Sequence, residues 1–100
     1  MAKKVIVSPR AERNIEKIAE YLFENWSAKL VEEFIERYEE CFDLISKKPQ
    51  LYPIVRNAKQ VRRCIMTKHN LIYFKEFPDR ITIITIFDTR QNPKKLNKIL

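Results

Sequence analysis

The sequence predicts an α+β fold in which an antiparallel helical hairpin packs on a small, mainly antiparallel sheet. The element order is β-α-α-β-β-β with a short C-terminal helix. Two observations carry this. Apolar residues recur at helical spacing through 9–25 and 28–46, with only two residues between. Later in the chain, three runs rich in β-branched and aromatic residues are separated by turn signals. With 100 residues and 45% hydrophobic composition, 1–100 is expected to form one domain with a single main core.

The first strand covers 3–7 and ends in Val5-Ile6-Val7. Ser8 then supplies an N-cap oxygen, and Pro9 suits the first helical turn, where its missing N–H costs nothing. Ala11, Ile15, Ile18, Ala19, Leu22 and Phe23 give helix one its apolar side, while Glu12, Glu16, Glu20 and Glu24 form an acidic stripe. Asn25 is expected to take the left-handed position that ends this helix in a chain without glycine. Ser27 caps helix two, and Trp26 with Val31 has the spacing of a hydrophobic staple. Val31, Phe34, Ile35, Tyr38, Cys41, Phe42 and Ile45 are the apolar stripe of helix two, and the short connection requires an antiparallel hairpin.

Pro49 and Pro53 stop the helix and open a loop that runs to about Lys59. The strands follow at 61–67, 70–77 and 81–88, the last two joined by Phe77-Pro78-Asp79-Arg80 as a type I turn. Asn92-Pro93 begins a short helix that puts Leu96, Ile99 and Leu100 on one side. Helices on one face of the sheet are expected to leave the other uncovered. Arg63 is in phase with Val61 and Ile65, Arg62 with Cys64 and Met66, and Arg90 with Asp88, Ile86 and Ile84.

Charge is unevenly spread. The net charge is +7, yet residues 1–50 hold nine Lys/Arg against ten Asp/Glu, and residues 51–100 hold eleven against three. Between Lys47 and Lys75 there are eight basic residues and no acid. A basic surface suited to phosphate or to an acidic protein follows. The absence of glycine excludes a P-loop, a dinucleotide fingerprint and a nucleophile elbow, because each needs backbone that only glycine permits. No cofactor is expected. Cys41 and Cys64 have no metal-ligand spacing, so no metal is expected and both are read as buried thiols of a reducing compartment. The apolar run before Ser8 is too short for a signal-peptide core and no stretch reaches a membrane span, so the expected location is the cytoplasm.

Several stretches in this order resemble the RelE/ParE superfamily of toxins from type II toxin–antitoxin modules, over essentially the whole chain. They are Val7-Ser8-Pro9-Arg10-Ala11, Lys47-Lys48-Pro49-Gln50-Leu51-Tyr52-Pro53, Val61-Arg62-Arg63, His69-Asn70-Leu71-Ile72-Tyr73-Phe74 and Ile83-Ile84-Thr85-Ile86-Phe87-Asp88-Thr89-Arg90-Gln91-Asn92-Pro93. The resemblance implies a cytoplasmic growth-arresting toxin neutralised by a cognate antitoxin, touching DNA only indirectly through that antitoxin. One branch resembles ribosome-dependent mRNA endonucleases, and the ParE-like branch inhibits DNA gyrase. Hairpin helices of roughly 17 and 19 residues look ParE-like. So does Ile65, where some nuclease members place arginine, and so does a tail with no Tyr or His after Arg90.

The ParE-like gyrase inhibitor, not an enzyme, is therefore the first reading. The alternatives are a RelE-like nuclease acting on mRNA at the ribosome and a non-toxic basic interaction module. Arg62, Arg63, Lys68, Arg90, Lys94 and Lys95 are the expected contacts with antitoxin or target, and the antitoxin is expected to dock on the 47–75 stretch and the open sheet. Arg63, His69 and Arg90 would be catalytic only in a nuclease, where cations and a proton carrier must surround one phosphate. Arg63 and Arg90 are expected to converge if both point to the uncovered face. His69 otherwise reads as a turn residue, Tyr73 as sheet packing, and Asp88 with Arg90 as a local ion pair.

Overall fold

The computed structural model describes residues 3–55, 58 and 60–100. The elements are β1 (Lys4–Val7), α1 (Pro9–Asn25), α2 (Ala28–Lys47), a 3-10 turn (Pro49–Leu51), β2 (Val61–Ile65), β3 (Asn70–Glu76), β4 (Arg80–Asp88) and α3 (Pro93–Ile99). The sheet runs β1-β4-β3-β2. β1 pairs parallel with β4, and the other two pairings are antiparallel. The parallel placement of β1 beside β4, at the edge opposite β2, is the part of the topology that the sequence left open.

Capping explains the helix starts. Ser8 Oγ accepts from Ala11 N at 3.1 Å and donates to the Ile84 carbonyl at 2.7 Å, so one hydroxyl both caps α1 and pins it to β4. Ser27 Oγ accepts from Leu30 N and Asn92 Oδ1 from Lys94 N in the same manner. The Phe77–Arg80 turn closes with Phe77 N donating to Arg80 O, and the Arg80 guanidinium stacks 4.2 Å over the Phe77 ring.

The main core lies between hairpin and sheet: Ala11, Phe34, Cys41 and Ile45 meet Cys64, Met66, Ile72, Phe74, Ile81, Ile83 and Ile86. Both thiols are buried there, as expected.

Four local expectations are corrected. The opposite sheet face is not left open: Val61, Tyr73 and Phe87 form a second core, and Leu96 of α3 and Leu100 just after it pack on it together with Val55 and Ala58. A bulge opposite Tyr73 and Phe74 leaves Ile84 as an extra residue on β4, so Ile84 joins the second core while Ile86 joins the first. The supposed common phase of Ile84, Ile86, Asp88 and Arg90 is broken there. Asn25 does not take the left-handed position, since among the described residues only Gln60 has positive φ; Asn25 Nδ2 donates instead to Tyr21 O. Trp26 is no buried staple, because 68% of it is exposed.

Candidate functional site

A groove of about 890 Å³ runs between α1, the first half of α2, the β2–β3 turn, the end of β4 and α3. Its wall on α1 is set by sequence spacing: Arg10, Arg13, Lys17 and Tyr21 are three or four residues apart and fall on one helix face. The acidic stripe Glu12, Glu16, Glu20 and Glu24 is absent from the groove lining, so α1 separates its two charge signs. On α2, Leu30, Phe34 and Arg37 continue the wall, and Ile18, Leu22, Ile86 and Ile99 add apolar surface.

The β2–β3 turn is held from within. Thr67 Oγ1 accepts from His69 N, Asn70 N and Asn70 Nδ2 at 3.3, 3.1 and 2.9 Å. Arg37 Nε reaches over to donate to the Met66 carbonyl at 2.7 Å, tying α2 to the turn. This presents exposed Lys68 and half-buried His69 to the groove. The end of β4 docks on the same turn through Thr89 N donating to His69 O at 2.8 Å.

Asp88 organises the far end. It pairs with Asn70 in the sheet, and its carboxylate receives Arg90 N, Nε and Nη2 at 2.8, 3.0 and 2.7 Å. These hydrogen bonds to the Arg90 side chain hold the Asp88 carboxyl below the usual carboxylate range; partial burial opposes them, and the nearby charge of His69 assists. The bidentate pair also fixes the direction of a guanidinium that is itself 60% exposed.

The groove is lined by seven Lys and Arg side chains and only two acids, Glu33 and Asp88, one of which Arg90 already occupies. Cations so arranged around low-dielectric walls focus a positive potential on the space between them, favouring a ligand that brings carboxylates or phosphates with apolar surface. Among the described residues no group of three or more His, Cys, Asp and Glu is placed to hold a metal ion. No helix in the described residues is long and apolar enough to cross a membrane.

Of the residues singled out by sequence, Lys68, His69, Arg90 and Lys95 line this groove. Arg62, Arg63 and Lys94 do not. Arg62 Nη1 donates to the Tyr52 carbonyl at 2.7 Å and so holds the 52–55 connection to β2. Arg63 is exposed on edge strand β2 beside Tyr73, whose phenol burial pushes up and Arg63 draws back down. β3 separates β2 from β4, so Arg63 and Arg90 do not converge. Within the 47–75 stretch, Arg56 and Lys59 lie outside the described residues, and Lys68 is its one Lys or Arg in the groove lining among those described. Arg10, Arg13, Lys17 and Arg37 were missed, although the spacing of the first three was readable as a basic stripe.

Comparison with known proteins places the geometry in context. The family model described as "ParE toxin of type II toxin-antitoxin system, parDE" matches residues 5–93. No curated protein sequence gives a significant match. Among solved structures, a chain of the chromosomal ParDE TA system from P. aeruginosa superposes with a TM-score of 0.75 at 10% identity, covering 87% of this chain and 96% of that one. A chain of the YoeB dimer from Staphylococcus aureus gives 0.63 at 13% identity, covering 87% and 97%. A chain of the E. coli DinJ-YafQ toxin-antitoxin complex gives 0.61 at 8% identity, covering 90% and 96%. At such identities the structural matches speak for the fold alone, which is the RelE/ParE-like one. The family match spans nearly the whole chain, and on it the protein belongs to the ParE toxin family of type II toxin–antitoxin systems.

Proposed function

We propose that this toxin arrests growth by inhibiting DNA gyrase, and that a cognate antitoxin silences it by laying an acidic, partly apolar segment into the basic groove. The carrying observation is the groove itself, with seven cations on a surface that also offers the exposed rings of Tyr21 and Trp26 and the half-buried Ile99. Charge complementarity speeds encounter with such a segment and apolar burial holds it. The antitoxin partner is supported by the family match and by the DinJ-YafQ complex of the same fold.

Gyrase is favoured over mRNA on chemical grounds. Cleavage of a phosphodiester needs cations and a proton carrier gathered around one phosphate. Arg63 lies opposite Tyr73 and outside the groove lining that includes His69, and Arg90 is committed to Asp88. That leaves His69 as the only imidazole of the chain. Induction of wild-type and His69→Ala proteins in cells tests the reading. Both should arrest growth and raise a DNA-damage response with ribosome-bound transcripts intact. Transcripts cut by the wild type and spared by His69→Ala would overturn it in favour of the nuclease.

A further inference from the structure

The two edges of the sheet, β1 and β2, are finished differently. At β2, Val55 N donates to the Val61 carbonyl at 2.7 Å and Arg63 N to the Pro53 carbonyl at 3.0 Å, so the 53–55 segment takes up that edge. At β1, Ser8 N donates to the Ile83 carbonyl of β4, whereas Lys3 N, in the other phase, donates to the Ser46 carbonyl of α2, both at 3.0 Å. Alternation therefore turns the backbone of Lys4 and Ile6 toward β4 and that of Val5 and Val7 outward. Among the described residues, Val5 N–H, Val5 C=O and Val7 N–H have no hydrogen-bond partner. They form a row of donor, acceptor and donor of the kind that accepts a further strand.

Beside this row a cavity of about 420 Å³ opens between β1 and the second half of α2. Val5, Tyr38 and Phe42 give it apolar walls, the two rings meeting edge-on at 5.7 Å, and exposed Glu39 and Asp43 complete its lining on α2. Glu32, Glu36, Glu39 and Asp43 are three or four residues apart, so the acidic side continues along one face of the helix. The one cation in the lining, Lys3, is taken up by Glu76 at 2.6 Å and the Phe77 carbonyl at 2.9 Å. Asp43 holds Lys47 at 3.0 Å, and Glu39 has no ion pair among the described residues.

We propose that β1 is a docking edge for an extended, basic segment of a partner protein, which adds to the sheet as a further strand. Its backbone meets the open groups of Val5 and Val7, and its side chains alternate between the two sheet faces. On the hairpin side, a Lys or Arg stem lies against Val5 and Phe42 in the cavity while its charge reaches Glu39 and Asp43. On the other side, an apolar residue lies beside Ile6, which is 40% exposed. No residue that lines this cavity lines the basic groove, and the two prefer opposite charges, so they select different partners.

Amide hydrogen exchange followed by NMR tests this on the full chain, with a terminally blocked peptide of alternating valine and lysine as the probe. The peptide should slow exchange at Val5 and Val7 and shift the Glu39 and Phe42 resonances. The same peptide with glutamate for lysine should do neither, and one methylated at its backbone nitrogens should not bind. Glu39→Lys with Asp43→Lys, both at exposed positions, should weaken binding by roughly tenfold. Unchanged exchange at Val5 and Val7, equal binding of the glutamate or methylated peptide, or undiminished binding by the double variant would overturn the proposal. Protection of the two amides before any peptide is added would overturn it too, by showing the edge covered by the chain itself or by a second copy.

Discussion

Asn14 on α1 takes over as the hydrogen-bonding partner of β4 where β1 stops. Its Oδ1 accepts from Thr85 Oγ1 at 2.8 Å and from Ile86 N at 3.1 Å, just beyond the last β1 pairing of Val7 with Ile83. Thr85 is 1% exposed, so its hydroxyl has little access to water. Asn14→Ala should lower the unfolding free energy by about 2–4 kcal/mol, the cost of two orphaned donors. Asn14→Asp, which keeps the acceptor, should lose less. Urea denaturation of the two variants checks the order.

Asp88 makes stability acid-sensitive. Its folded pKa is depressed by the Arg90 hydrogen bonds, so it contributes stability above the ordinary carboxylate pKa, and the contribution disappears as pH falls through the lowered folded value. Arg90→Ala should flatten this part of the curve. Tm measured from neutral pH downward should show wild type and variant converging once Asp88 is protonated in both.

Tyrosine burial has the opposite sign. Desolvation pushes the phenols of Tyr38 and Tyr52 up to about 12, with Glu12 adding to Tyr38 and the Cys64 thiol to Tyr52. A raised folded pKa gives stability that is complete below the unfolded value near 10 and declines as pH rises toward 12. Alkaline titration by ultraviolet absorbance should show Tyr38 and Tyr52 ionising well above the free amino acid, with Tyr73 also raised. Tyr52→Phe should remove one of those steps.

The elements were legible because local signals agreed: Ser8-Pro9, Ser27 and Asn92-Pro93 mark three helix starts that the caps realise. What the sequence hid were relationships between elements. Strict alternation along 81–88 conceals a bulge, so the phase of Arg90 was misread at Ile84. The second core depends on α3 folding back onto β4, a tertiary contact that no window of sequence contains. Reading the basic surface from the run 47–75 found Lys68 but overlooked α1, whose Arg10, Arg13 and Lys17 are masked in composition by the acidic stripe of the same helix.

The groove predicts which cations matter. Arg13→Ala with Lys17→Ala should weaken antitoxin binding by roughly tenfold at low salt, and less as salt screens the encounter. Arg63→Ala, outside the groove, should change affinity and salt dependence little. Titration calorimetry at two ionic strengths separates the two surfaces, and a larger loss from Arg63→Ala would move the docking site to the β2 edge.

The central claim is tested most directly by supercoiling of relaxed plasmid with purified gyrase and ATP in the presence of this protein. The account predicts dose-dependent inhibition that is relieved when the cognate antitoxin is added in equimolar amount. Unimpeded supercoiling at protein concentrations that arrest growth in cells would contradict it.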